Sequence, residues 1–238
     1  MIDLTVKVDT KAATQFLNDV QRKQIPFATA LALTRTAKDV ESQLKRDLMS
    51  GLESPSPYTA RATFSTSAKK TMLEAVVGIK DKKPAGGTAP SVLLKEHFSG
   101  GVRGNKPMEK ALISMGVLPS GWRVVPGAGM PVDTYGNPRR AAVRELIGSL
   151  RSKASVYKGR GKNVGAVGYF AITPGHDSHL EPGVYWRKGR AIRPMLMFIN
   201  AAGYRKRFDL PRIARQVVDV KFNTHFASAL NSALATAR

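Results

Sequence analysis

The stretch from Thr10 to Met49 restricts the fold of this chain more than any other, because its second half has a strong helical pattern. From Pro26 onward it is rich in Ala, Leu, Lys, Arg and Gln, which are good helix formers. Apolar side chains recur there at steps of three and four, which places them on one helix face: Ala30, Leu33, Ala37, Val40, Leu44 and Leu48. Pro26 either begins this helix or kinks a longer one from Thr10, and Gly51 ends it. A helix of this length needs a broad partner surface from the rest of the chain.

The composition is that of a globular protein. The chain has 238 residues, 42% of them hydrophobic, and no cysteine, so neither disulfides nor thiolate metal sites are expected. No apolar run approaches the roughly 20 residues that a membrane helix needs. Residues 2–8 alternate as in a strand and do not resemble a signal peptide. We therefore expect a soluble protein that is made in the cytoplasm.

The net charge is the strongest compositional signal. The chain carries 38 Lys and Arg against 17 Asp and Glu, a formal charge of +21. Such an excess repels itself and favours an anionic partner, either nucleic acid or an acidic protein surface. The alternative is a basic surface that is merely solvated.

The order of predicted elements indicates the fold class α+β. We expect a long N-terminal helix and a C-terminal helix packed on a mostly antiparallel sheet, in a single domain spanning 1–238. A loop-rich central insertion at about 93–165 elaborates that domain, since its apolar content is thin for a second core. Strands are predicted at Tyr58–Ser67, Met72–Ile79, Ala166–Thr173, Gly183–Arg187 and Arg193–Asn200, and helices at Ser91–Phe98, Met108–Met115, Arg139–Leu150 and Leu210–Ala237.

No group of residues has the spacing of a catalytic site. His176 and His179 are potential metal ligands, but prolines and glycines on both sides place them in a turn. Glu96 and His97 are adjacent, so on a helix they point apart. The segment 159–162 lacks the spacing of a phosphate-binding loop. We therefore expect no enzymatic activity, no cofactor and no bound metal.

Basic residues concentrate in three segments, Arg151–Lys162, Arg187–Arg193 and Arg205–Arg215. Loops with few nearby carboxylates can face either a DNA backbone or acidic neighbours in an assembly. Aromatic residues make up only 7% and are not interleaved with the basic runs, which argues against stacking on single strands. The candidate contact residues are Arg151, Lys153, Lys158, Arg160, Lys162, Arg187, Lys188 and Arg190.

Three segments resemble the phage neck or tail-completion proteins, including the minor tail protein Z family. They are ALALTRTAKDVESQLKRDL in Phe27–Leu48, LLKEHFSGGVRG at Leu93–Gly104, and RPMLMFINAA in Ile192–Ala202. The resemblance follows the order of elements over most of the chain, which departs from compact members through its central insertion. Members of this family are small α+β proteins that form a ring at the top of the tail and dock it to the head, with DNA in the lumen.

The resemblance implies a virion protein at the head–tail junction, made in the host cytoplasm. Its expected partners are its own copies in a hexameric ring, the head connector, tail tube or terminator proteins, and DNA in the lumen, without a membrane. The family has no catalytic residues to transfer. The helix face described first then supplies candidates for subunit packing: Ala30, Leu33, Ala37, Val40 and Leu44.

Two rival functions stay open at this point. The first is a free protein that binds double-stranded nucleic acid without reading its sequence, which the charge alone favours. The second is a metal-dependent nuclease that uses His176 and His179.

Overall fold

Two helices of 27 residues belong to one of the two structural units of the chain. A computed structural model describes residues 15, 17–18, 20–82, 87–152, 167–200 and 203–236. Unit 1 comprises Met1–Phe98 with Arg207–Arg238, and unit 2 comprises Ser99–Lys206. The α+β class predicted from the sequence is confirmed, since the described residues form long helices together with sheets whose strand pairs are all antiparallel.

Helix α1 spans Ile25–Gly51 and follows a π-helical turn at Val20–Gln24. Pro26 lies in the first turn of α1, and Gln24 before it already has helical dihedral angles, so the helical backbone continues from the π-helical turn into α1. The short helix α2, Pro57–Ala60, begins at Ser56, whose hydroxyl accepts a hydrogen bond from the Thr59 amide.

A small antiparallel hairpin of β1, Thr63–Ser65, and β2, Val77–Ile79, follows α2. The hairpin was predicted, but its strands are shorter than expected because Ser56 and Pro57 start a helical turn instead of a strand. The Glu41 carboxylate of α1 accepts hydrogen bonds from the Thr63 and Ser65 hydroxyls at 3.2 and 2.6 Å. These bonds tie β1 to α1.

Unit 1 is completed by α3, Pro90–Ser99, and by α6, Leu210–Thr236. Helices α1 and α6 run antiparallel: Asp39 of α1 meets His225 at 2.8 Å, whereas Gly51 lies beside Phe208 just before α6 begins. The buried face of α1 is thus covered by α6 and by the hairpin, which differs from the expected packing of both helices on one sheet. The core of this unit consists of Leu44, Leu48, Ala62, Leu94, Phe208 and Ile213.

Unit 2 is built on a four-stranded antiparallel sheet in the order β3-β6-β5-β4. Its strands are β3, Trp122–Pro126; β4, Val167–Ile172; β5, Gly183–Lys188; and β6, Ala191–Asn200. Three of these, β4, β5 and β6, were predicted from the sequence. Strand β3 was not, because Pro126 and the glycines after it resemble a loop; as an edge strand it tolerates a proline at its end.

Helices α4, Pro107–Ser114, and α5, Arg140–Arg151, pack with this sheet around one core. The core of unit 2 comprises Leu112, Leu118, Val124, Met130, Leu146, Leu150, Tyr169, Val184, Met195, Leu196 and Phe198. The expectation of a thin insertion at 93–165 within a single domain therefore differs from the structure. The inserted unit runs from Ser99 to Lys206, and its helices share a core with strands that the prediction assigned elsewhere.

Candidate functional site

The positive charge of the chain is concentrated in unit 2. This unit has 18 Lys and Arg against five Asp and Glu, a net charge of +13, whereas unit 1 has 20 against 12, a net charge of +8. Unit 2 is also the shorter of the two. The surface with the greater affinity for a polyanion is therefore expected there.

The most buried carboxylate of unit 2, Glu109, does not offset this surface charge. It is fully buried and receives two hydrogen bonds from the Arg103 guanidinium, at 2.6 and 2.7 Å. The backbone amides of Lys106 and Val124 also donate to it, at 2.7 and 3.0 Å. Burial alone would raise the pKa of Glu109, but these four hydrogen bonds outweigh burial and hold its pKa below the usual value.

Two further carboxylates of unit 2 are engaged locally. Asp133 accepts hydrogen bonds from the amides of Tyr135 and Asn137, both at 2.9 Å, and the Asn137 amide is the main cause of its lowered pKa. Glu145 accepts a hydrogen bond from the Tyr169 hydroxyl at 3.2 Å. Three of the five acids thus serve the fold of the unit itself.

The β5–β6 hairpin brings together the cations predicted at its end. Gly189 occupies the turn with φ of 59°, a conformation that favours glycine. The Arg187 Nε donates to the Gly189 carbonyl at 2.8 Å, so this half-buried side chain supports the turn. Lys188 and Arg190 are exposed, as a contact surface requires. Arg193 stacks near Trp186, with 5.9 Å from Cζ to the ring centre.

A second group of cations lies on α5, and sequence reasoning identified only one of its members. Arg140, Arg144 and Arg151 are exposed along this helix, and only Arg151 was a candidate. The sequence did show that these arginines are spaced by four and then seven residues, a spacing that places all three on one side of a helix. The remaining candidates of the basic loop, Lys153, Lys158, Arg160 and Lys162, lie outside the described residues.

The candidates for subunit packing are in fact core residues of unit 1. Ala30, Ala37, Val40 and Leu44 are at most 6% exposed, and Leu33 is half-buried. A neighbouring subunit cannot contact this face while unit 1 is folded, because its own elements cover it. That assignment is corrected: the periodic stripe marked the intramolecular face of α1.

Exposed apolar residues on α6 offer a different surface for packing. Val220, Ala227 and Leu234 recur every seven residues and are all exposed, Val220 by 69%. At about 100° per residue they lie within about 40° of one another around the helix. We call these three residues the α6 seam. It lies on the side of α6 opposite the buried Ala229 and Ala233.

Unit 1 also contains a groove of about 550 Å³ between α1 and α6. Its lining mixes Asp39, Asp47 and Lys221 with the apolar Val217 and Val220, so the first residue of the α6 seam borders this groove. Both carboxylates are in hydrogen bonds, Asp39 with His225 at 2.8 Å and Asp47 with the Gln43 amide at 2.7 Å. The groove thus holds a polar contact between the two helices.

The histidines do not assemble into a metal site. Within the described parts of the chain, no three His, Asp or Glu side chains cluster closely enough to hold a metal ion. His176 and His179 are exposed in a turn, as expected. Burial lowers the pKa of His97, and the Arg207 guanidinium lowers it further.

The described helices include none that is long and apolar enough to cross a membrane. No protein-family model, no curated protein and no solved structure matches this chain.

Proposed function

We propose that this protein is a structural virion protein that completes the top of a phage tail and joins it to the head connector. In this function six copies form a ring around the channel through which DNA passes, in contact with the head connector and with tail tube or terminator proteins. The proposal is supported by two surfaces of one small chain: the apolar α6 seam, and the unneutralised positive charge of unit 2. The first suits contact with another copy, and the second suits DNA.

The α6 seam is the observation that carries the proposal. An apolar residue at every seventh position is typical of contacts between helices, because this spacing keeps the apolar residues on the face towards the partner helix. Here the three positions are exposed although α6 also packs on α1, and Val220 at the start of the seam borders the groove between the two helices. Covering the seam with a second copy would remove this apolar surface from water.

Closed symmetry accounts for a ring. Contacts between unlike surfaces of identical subunits propagate head to tail, and they close when the rotation between subunits divides a full turn. The resemblance of Phe27–Leu48, Leu93–Gly104 and Ile192–Ala202 to tail-completion proteins supports six subunits and the position at the head–tail junction.

Localisation tests the position in the virion. Gold-labelled antibody against the chain, applied to phage particles in lysates of the source culture, is expected to label the junction between head and tail. Label over nucleoid material with none on particles would contradict the proposal.

Assembly tests the seam. The variant Val220→Glu/Ala227→Glu is expected to prevent ring formation, as seen by mass photometry and negative-stain microscopy. Ser228→Glu/Ser232→Glu adds the same charge at exposed positions of α6 away from the seam and is expected to assemble normally. Equal assembly of both variants would exclude the seam as the contact.

The second candidate is a free protein that binds double-stranded nucleic acid regardless of sequence. The net charge of +13 on unit 2 favours it. It predicts tight duplex binding by the isolated subunit with a steep salt dependence, and no label on particles. Weak duplex binding by the subunit at low salt would count against this alternative.

A further inference from the structure

Helix α5 presents an arginine face that the fold of unit 2 does not require. At about 100° per residue, Arg140, Arg144 and Arg151 fall within about 40° of one another around the helix axis. All three side chains are exposed, whereas Leu146 and Leu150 enter the core from another side of the helix. We call these three residues the arginine face.

The position of these arginines works against the stability of α5. The N-terminal end of a helix is partly positive, so acidic residues stabilise it and cations do not. The first turn of α5 has no acidic residue; instead Arg139 is its N-cap and Arg140 its first residue. Arg140 and Arg144 are also four residues apart, where like charges repel. Residues that violate local stability rules in this way are typical of functional surfaces.

The arginine face also lacks neutralising partners. Among the residues that the structure describes, no carboxylate forms an ion pair with any of its three members. Glu145 belongs to the same helix but lies at least about 100° around the axis from them. Its carboxylate is engaged with the Tyr169 hydroxyl. The charge is thus available to an external anion.

The residues beside the arginines indicate which anion this is. Ala141 and Gly148 are small and exposed on one side of the arginines, and Val143 and Ile147 on the other side are half-buried against the core of unit 2. None of them is an exposed aromatic or large apolar anchor of the kind typical of protein interfaces. The small size of Ala141 and Gly148 permits close approach of an extended backbone. With no aromatic ring on this face, stacking of single-stranded bases is not supported either.

The dimensions suit a duplex. The three arginines extend over about 16 Å of helix at 1.5 Å per residue. Duplex DNA presents one negative charge per about 1.7 Å along its axis, so phosphates are within reach along the whole face. Guanidinium groups bind phosphate through paired hydrogen bonds, which arginine forms better than lysine.

We infer that the arginine face of α5 binds the phosphate backbone of double-stranded DNA without reading its sequence. The inference rests on the proposed function, because it names the surface that meets the DNA in the channel. It adds Arg140 and Arg144 to the contact residues expected from the sequence.

The test compares two double variants of the full chain that remove equal charge. Arg140→Gln/Arg144→Gln alters the arginine face, and Arg212→Gln/Arg215→Gln removes two exposed arginines from α6. Binding to a fluorescent DNA duplex is measured by anisotropy over a series of salt concentrations. Loss of two phosphate contacts is expected to make the fall of log affinity with log salt shallower by about 1.8, and to reduce the affinity by roughly 60-fold at 0.1 M salt. The control is expected to keep the slope.

Several outcomes would overturn the inference: equal losses in both double variants, no duplex binding by the unaltered chain at low salt, or an effect on polyglutamate binding alone, which would assign the face to an acidic protein. Arg140→Lys/Arg144→Lys is expected to keep the slope, and unchanged thermal melting confirms folding of each variant. Failure of the proposed function would be seen in a different experiment. Antibody label would then be absent from the head–tail junction, even if anisotropy still showed that duplex binding depends on the arginine face.

Discussion

At the scale of single residues, the carboxylate of Glu109 joins three segments of unit 2. It binds the Arg103 guanidinium in the preceding loop, the Lys106 amide at the start of α4, and the Val124 amide of β3. The side chain is fully buried, whereas that of Arg103 is 16% exposed. Removing the negative charge therefore leaves Arg103 and two amides with a weaker acceptor in a site that water cannot enter.

The substitution Glu109→Gln is expected to lower the free energy of unfolding of unit 2 by about 3 kcal/mol, at the lower end of values for breaking a buried pair because Arg103 retains some solvent. Both tryptophans, Trp122 and Trp186, belong to unit 2, so urea denaturation followed by tryptophan fluorescence reports this unit. Glu145→Gln is the control, since it alters a single hydrogen bond from Tyr169, with an expected loss of about 1 kcal/mol or less. Equal losses in the two variants would contradict the structural role of Glu109.

The same residue makes the stability of unit 2 depend on pH. In the folded state the pKa of Glu109 is held below its ordinary value of 4.5, so the folded chain binds fewer protons than the unfolded chain in that range. Its contribution is complete above pH 4.5 and is lost as pH falls through the folded pKa. The urea midpoint by tryptophan fluorescence is expected to fall less steeply below pH 4.5 in Glu109→Gln than in the unaltered chain. Parallel curves would refute this linkage.

Sequence reasoning found neither Glu109 nor the arginine face, for different reasons. Glu109 is the third residue of α4 and bonds to the amide of the N-cap Lys106, but a lysine at that position does not give the Ser/Thr-x-x-Glu signature of a capping box. Its burial and its pairing with Arg103 depend on tertiary packing. Arg140 and Arg144 lie at helical spacing in the sequence, but a helix position alone does not indicate which side of the helix stays exposed after folding.

At the scale of elements, the close packing of α1 and α6 depends on alanines. Ala28 and Ala32 in the first half of α1 are fully buried, as is Ala229 of α6. Because the two helices are antiparallel and Asp39 contacts His225, these alanines lie at a similar height along the helix pair. Small side chains there allow the two backbones to approach closely.

Replacing Ala229 by Leu is expected to destabilise unit 1 by about 1–3 kcal/mol, because the added carbons have no space between the helices. Thermal unfolding followed by circular dichroism at 222 nm measures the loss, since both long helices contribute strongly to that signal. Ala235→Leu adds the same side chain at an exposed position of α6 and is expected to leave the unfolding temperature nearly unchanged. Equal unfolding temperatures for the two variants would show that this level of the helix pair is not tightly packed.

The elements themselves were predictable where periodicity was long. The apolar period located α1 and α6, and strands were predicted at the positions of β4, β5 and β6. The pattern could not say which partner covers an apolar stripe, so the buried face of α1 was assigned to a neighbouring subunit. It also could not say how far along α6 one side stays covered, because Ile213 and Val220 are seven residues apart on the same side although only Ile213 is buried.

At the scale of the whole molecule, the division into two units escaped sequence reasoning. The insertion was expected to be thin because its apolar residues were counted without those of β5 and β6. In the structure Leu112 and Leu146 share a core with Val184 and Leu196, which only tertiary folding brings together. The charge, in contrast, was evident from composition, and the unit boundaries show that most of the excess belongs to the inserted unit.

Self-association and DNA binding are assigned to different surfaces, one on α6 and one on α5, and the two properties are expected to be separable. Val220→Glu/Ala227→Glu should abolish assembly. The dissociated variant should still bind duplex DNA with the same salt slope as the unaltered chain, measured at a concentration too low for the unaltered chain to assemble. Arg140→Gln/Arg144→Gln should assemble normally and bind duplex with a slope lower by about 1.8. Mass photometry and anisotropy on the same preparations measure both properties. If the seam variant also lost the salt slope per subunit, DNA binding would require the assembled ring, and the arginine face alone would not suffice as the contact.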